Sequence, residues 1–278
     1  MTSRPHQATE EGPSAQVFLD TTVQADRVTA ALPTRGAIAK ALENCRLLTS
    51  TYVMGEFKQT FLHDAVLFHK LLTDSRTTAE ALNRLERYKE RPAKRMVRVF
   101  ARIMEEGPED KPSMDKPSML SRLVRMVEWQ LVDNFLFNID RVLDGTGCAR
   151  ARVQPVRCNG TYNFPVRCRK ADPPRCGVAD YIAAHKRQLL AVAEHLVTDD
   201  ADLQRLLRSV GSVLEGGSPR GNTCKSISDL LIALEVPKDA VLATTNTRHF
   251  APLAQVLGGP HLTNPVPENH ERPSKEDS

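Results

Sequence analysis

A chain of 278 residues, 41% hydrophobic and 26% charged, is long enough to bury a sizeable core and has the ordinary make-up of a soluble globular protein. Its formal net charge of +4 permits a polyanionic partner without requiring one. No run of 18 or more apolar residues occurs, which argues against a membrane-spanning helix. The polar N-terminus lacks the apolar stretch of a secretory signal, so the six cysteines read as free thiols or metal ligands rather than a disulfide framework, and the expected location is cytoplasmic.

Taken in order, residues 1–15 are expected to be a disordered polar leader. The run Gln16-Val17-Phe18-Leu19-Asp20 reads as a first, central strand that stops on an acid. Asp20 is then either carried to the C-terminal edge of a parallel sheet, where open α/β sheets bind their ligands, or is only a turn or cap residue. Beyond Pro33-Thr34, the spacing of Ile38, Ala39, Ala41 and Leu42 predicts a helix, and residues 46–51 a second strand. Residues 52–72 follow as a helix with an apolar side of Val53, Phe57, Phe61 and Ala65, and Glu56 lies beside that stripe in the second turn.

Helical spacing recurs over 78–91, 93–106 and 118–144, with a proline-containing repeat at 111–119 taken as a mobile loop. Arg84, Arg87, Lys89, Arg91, Lys94, Arg95, Arg98 and Arg102 make this region either a phosphate-contacting face or a solvated one. Residues 148–176 change character: Pro-Val-Arg-Cys occurs twice, ending at Cys158 and Cys168, and Cys176 follows in a stretch rich in arginine. These thiols and Cys224 are candidates for zinc or an iron–sulfur cluster. The two-residue spacing of zinc ribbons is absent, so free or packed thiols stand as the alternative. Helices resume at 177–197 and 199–215.

The stretch 226–250 carries the clearest organisation. Ser226 or Ser228 is expected to cap a helix that puts Asp229 in its first turn and ends at Pro237. Residues 240–243 then form a short buried strand that feeds the turn Thr244-Thr245-Asn246. After Gly258 the tail, 259–278, is expected to be disordered. Asp20, Glu56 and Asp229 are thus three acids bound for one end of one sheet. Crowded carboxylates repel one another and raise their own pKa values unless cations neutralise them, which favours hard ions such as magnesium or manganese.

The order Val-Phe-Leu-Asp20, Tyr-Val-Met-Gly-Glu56-Phe, Ile-Ser-Asp229-Leu-Leu-Ile-Ala and Leu-Ala-Thr-Thr-Asn-Thr-Arg-His-Phe resembles the PIN domain family. The resemblance covers 16–73 and 222–258 and leaves 74–221 as a mostly helical insertion containing the Cys-rich basic loop 148–176. It implies an α/β three-layer sandwich around a central parallel sheet, and a metal-dependent endoribonuclease. Asp20, Glu56 and Asp229 would hold Mg2+ or Mn2+, and water would attack the phosphodiester. The family often places a fourth acid where this chain has Asn246, with Thr244 as the supporting hydroxyl. Thr244, Arg248 and His249 are candidate substrate contacts, and Arg248 and His249 read equally well as surface charge beside a packed Phe250. RNA is the implied partner, with the basic stretches as candidate strand contacts. Family members are often half of a toxin–antitoxin pair, so an inhibitor protein and a second copy of the chain are further candidate partners. The alternative is a weakened PIN-like module that binds nucleic acid or regulates, with a cysteine-bound metal.

Overall fold

The computed structural model of the chain describes residues 15–105, 115–166, 168 and 176–266. In chain order they form β1 (Gln16–Leu19), α1 (Thr21–Thr29), α2 (Leu32–Ala41), β2 (Arg46–Ser50), α3 (Thr51–Phe57), α4 (His63–Thr73), α5 (Thr78–Asn83), α6 (Glu90–Glu105), α7 (Lys116–Arg125), α8 (Leu131–Leu136) and β3 (Arg141–Leu143). A hairpin of β4 (Val156–Cys158) and β5 (Thr161–Asn163) follows, then α9 (Val178–Ala184), α10 (Lys186–His195), α11 (Ala201–Leu214), α12 (Asn222–Ser226), α13 (Ser228–Glu235), β6 (Ala240–Ala243), α14 (Thr247–Leu257) and β7 (Leu262–Thr263).

The fold is α/β. Five parallel strands lie in the order β3-β2-β1-β6-β7, so the chain builds outward from β1 on one side, then returns to build outward on the other. The reversal falls between β1 and β6, the place where doubly wound sheets open a crevice at their C-terminal ends. Alternation along the strands divides the core. Val17, Leu19, Leu47 and Ala243 pack with Val23, Ile38 and Leu42 on one face. Phe18, Leu48 and Leu242 join Tyr52, Val53, Leu230 and Phe250 on the other. Helices thus cover both faces, an arrangement compatible with three layers, and strands covered on both sides read as short continuous apolar runs.

Several expectations are corrected. The stretch 74–221 is not a detached insertion, because β3 lies within it and pairs with β2. The helix expected over 118–144 stops at Leu136, where Asn138 takes a left-handed φ of 56° and turns the chain into that edge strand. Ile139 and Val142 continue the helical spacing by coincidence. The expected loop 111–119 is already helical from Lys116, capped by Asp115, while 106–114 lie outside the described residues. The tail does not lose its order at 259: β7 pairs with β6, Leu242 N–H donates to His261 O at 2.8 Å, and Thr244 N–H donates to Thr263 O at 2.9 Å. Residues 1–14 and 267–278, the rest of the leader and tail, lie outside the described residues. The basic loop holds a hairpin turned by Asn159-Gly160, both at positive φ. Helix α1 was not anticipated, since Thr-Thr-Val-Gln-Ala-Asp-Arg-Val-Thr has little apolar periodicity.

Helix α3 runs through a π-helical turn, Lys58–Leu62, directly into α4. The buried Lys58 ammonium donates to Ala151 O at 2.6 Å and Val153 O at 3.0 Å, which ties this helix to the segment after β3. Gly55 makes the contact close: a Cβ there would stand 2.8 Å from Cys148 Sγ and 3.1 Å from Arg150 Cβ. In an unobstructed helix interior, Gly→Ala stabilises by roughly 0.5–1 kcal/mol. Here we expect the opposite sign: Gly55→Ala should lower the free energy of unfolding by about 1–3 kcal/mol, read from urea denaturation midpoints.

Candidate functional site

Asp20 leaves β1 at its C-terminal end and is almost fully buried, 1% exposed. Its Oδ1 accepts from the Val23 amide at 2.9 Å and the Thr22 hydroxyl at 2.8 Å, so Asp20 is the N-cap of α1. Its Oδ2 accepts from the Thr244 hydroxyl at 2.7 Å, just beyond β6. Thr244 Oγ1 in turn accepts from the Asn246 amide at 2.9 Å, and Thr22 Oγ1 accepts from the Thr245 amide at 3.0 Å. Two hydroxyls and one carboxylate therefore lock together the ends of the two strands that flank the crevice. The cap reading and the site reading of Asp20 are both satisfied, one by each oxygen.

Glu56 reaches the same place from α3, a helix capped by Ser50 at the end of β2. Its Oε2 accepts from Thr21 Oγ1 at 2.6 Å, and Ser228 at the start of α13 supplies a further hydroxyl. The sequence predicts Ser226 or Ser228 as the cap of α13, and neither serves as one. The cap position is Ile227, Ser226 bonds back to Asn222 O at 3.0 Å, and Ser228 is free to face Glu56. Asp229 lies in the first turn of α13.

The electrostatics follow from burial. Loss of water pushes the Asp20 carboxyl up to about 7, against the pull of its amide and hydroxyl donors. Burial also raises Glu56, opposed by Thr21, by the Arg150 guanidinium and by Ser228. Asp229 is near enough to raise both. Asp229 thus acts on both Asp20 and Glu56, but the three do not all close within 4.8 Å; among the described residues, Asp200, Asp202 and His249 meet that spacing. The donor set of Asp20, Glu56 and Asp229 is all oxygen and partly dry. Its burial disfavours the charged forms unless a cation replaces the lost solvent. These residues fit a hard divalent ion that keeps part of its water shell and so spans such gaps.

The far wall comes from α14. Asn246 Nδ2 donates to Asp229 Oδ2 at 3.2 Å, and His249 Nδ1 lies 2.8 Å from the same oxygen. That contact raises the His249 pKa. Behind it stands Asp200, which caps α11 by accepting from the Asp202 and Leu203 amides at 2.9 and 3.1 Å. Arg248 Nη2 is 2.8 Å from Asp200 Oδ2, and His249 Nε2 is 3.7 Å from Asp200 Oδ1. The capping amides hold the Asp200 carboxyl below its usual range, and both basic neighbours add to that. Sequence reasoning missed Asp200. The run Thr198-Asp199-Asp200-Ala201-Asp202 is a helix-start signal, but nothing local says that it meets Arg248 and His249.

The other proposed contacts separate. Arg150, expected on a substrate-facing basic surface, is buried at 6% exposure over the Tyr52 ring, with Nε donating to Cys148 Sγ at 3.2 Å. On and before α6, Arg84 bonds Ser75, and Lys94, Arg95 and Arg98 pair with Glu90, Asp64 and Asp26, so much of that face is engaged internally. Of the four candidate metal-binding thiols, Cys158 is exposed on the hairpin, Cys168 and Cys176 are partly buried, and Cys224 is buried under Tyr52. No three of them come within 4.8 Å. Arg167, Arg169, Lys170 and Arg175 lie outside the described residues. Among the described residues no helix is long and apolar enough to cross a membrane.

The chain matches no protein-family model, and no curated protein and no solved structure matches it.

The burial of Asp20 has a measurable consequence. Its folded pKa of about 7 lies above the unfolded value of about 3.9. The stability contributed by protonated Asp20 is therefore complete below about pH 4 and is lost as pH rises through about 7. In chelator at about pH 8, Asp20→Asn should raise the thermal midpoint above that of the parent, and the difference should shrink toward pH 5.

Proposed function

We propose that the chain is a divalent-cation-dependent endoribonuclease of the PIN-like kind. The observation that carries this reading is the approach of Asp20, Glu56 and Asp229, from three distant segments, at the reversal point of the sheet, where burial leaves the charges of Asp20 and Glu56 short of solvent. Mg2+ or Mn2+, when bound, supplies Lewis-acid polarisation of a phosphoryl oxygen and lowers the pKa of water.

The chain's own residues do the rest. The hydroxyls of Thr22 and Thr244 and the Val23 amide orient Asp20, while Thr21 and Ser228 orient Glu56, so the carboxylates present oxygens in a fixed arrangement. Asn246 and His249 hold Asp229 from the α14 side. Arg248, its side chain 72% exposed beside the site and paired with Asp200 through Nη2, would meet a phosphate of the incoming strand with its remaining N–H groups. The order of acids in the sequence, its resemblance to the PIN family and the parallel sheet with its reversal between β1 and β6 all support this reading.

A second reading, a module that binds nucleic acid without cleaving it, is favoured by Asn246 at a place where the family often carries an acid. Incubation of the purified chain with single-stranded RNA separates the two. The nuclease reading expects cleavage with Mn2+ and none in chelator. Changing a residue that only orients a metal ligand typically costs about 10–100-fold, so Asp20→Asn and Asp229→Asn, which alter proposed ligands themselves, should each reduce the rate by about 100-fold or more. Cleavage that persists in chelator, or survives both substitutions, would remove the proposal.

A further inference from the structure

The α14 wall of the site is built from donors, and this limits how much positive charge the site can take. Asp229 Oδ2 lies 3.2 Å from Asn246 Nδ2 and 2.8 Å from His249 Nδ1, and the two nitrogens are 3.1 Å apart; an ionised carboxylate only accepts hydrogen bonds, so the arrangement that satisfies a charged Asp229 has the Asn246 amide N–H facing it and the His249 proton on Nδ1. Both donors converge on Oδ2. His249 is backed by Asp200, 3.7 Å from its other ring nitrogen, and Asp200 is itself fixed by two backbone amides and Arg248. The imidazole is thus clamped between two acids on α11 and α13, with Arg248 alongside.

Two-metal phosphodiester sites place their ions about 4 Å apart and need an acid on each side. On the Asp20 and Glu56 side the hydrogen-bond donors are hydroxyls and one amide, and a hydroxyl, unlike an N–H, can turn its proton away and offer a cation its own lone pair. On the Asp229 side the ground is already taken by two N–H groups. The nearby Asp200–Asp202–His249 grouping does not restore a second position, because its atoms are committed: Asp200 to the α11 cap and Arg248, Asp202 to Arg205 at 2.9 Å, His249 to Asp229.

Resting on the nuclease reading above, we propose that Asn246 and His249 stand where a second cation would bind, so that the site takes a single divalent ion, held by Asp20, Glu56 and Asp229. The clamp by Asp200 makes His249 a positioning residue.

The test is a Mn2+ titration of the full, metal-stripped chain, with free Mn2+ read by electron paramagnetic resonance, so that the result does not depend on turnover. The parent chain should bind one Mn2+ per molecule. The double variant Asn246→Asp, His249→Ala replaces one donor with an acid and removes the other, and should bind two. His249→Gln alone keeps a polar side chain and should stay at one. Two ions in the parent would overturn this inference while leaving the nuclease reading intact, and so would a double variant that still binds one. A parent that binds none would sink both.

Discussion

A carboxylate that water cannot reach must be solvated by the protein, and at Asp20 that requirement fixes the geometry of everything around it. Its two oxygens take an amide and a hydroxyl from the start of α1 and a hydroxyl from the end of β6. Those hydroxyls are bound in turn by the amides of residues 245 and 246. Had the side chain been apolar, β1 and β6 would still pair along their length, but the two loops leaving them would have no reason to adopt mutually dependent shapes. Burial raises the cost of the charge, and the same burial makes each of its hydrogen bonds stronger. Asp20 therefore organises the crevice first as a structural group and only then as an acid.

The neighbouring elements repeat this double use. Ser50 ends β2 and caps the helix that carries Glu56. The buried Glu235 at the other end of α13 from Asp229 accepts from the Thr146 amide at 2.9 Å. One carboxylate thus joins the segment after β3 to the helix carrying Asp229. Arg150 supports α3 from below, stacked on Tyr52 and drawing Glu56 downward in pKa against its burial. Much of what looks in sequence like a basic surface is scaffolding: the charges of Arg95 and Arg98 are satisfied by Asp64 and Asp26 on neighbouring helices.

The parts legible in the sequence were those with a local signature. The strands at β1, β2 and β6 showed as short apolar runs, because a strand buried on both faces has nothing polar between its ends. The helix acid in α13 showed because first-turn acids are favoured by the backbone dipole. Elements whose reason for existing lies elsewhere in the chain did not show. Helix α1 has little periodicity and depends on Asp20 for its cap; β3 and β7 are three and two residues long and owe their conformation to the strand beside them. Asn138 and the Asn159-Gly160 pair were the local clues to turns, but among apolar spacing on one side and arginines on the other they were outweighed. Asp200 was invisible as a site residue because its meeting with His249 is purely tertiary.

The bond between Asp20 and Thr244 spans 224 positions of sequence, while β1 and β2 meet across about thirty. Contacts between distant positions form late, since the chain must first give up the freedom of everything between them. During synthesis the first half of the sheet can assemble long before β6 has been made, and in that interval Asp20 has neither its partner hydroxyl nor the acid on α13. The crevice is completed only by some of the last strands and helices to emerge, so a growing chain lacks the pocket that the finished one possesses.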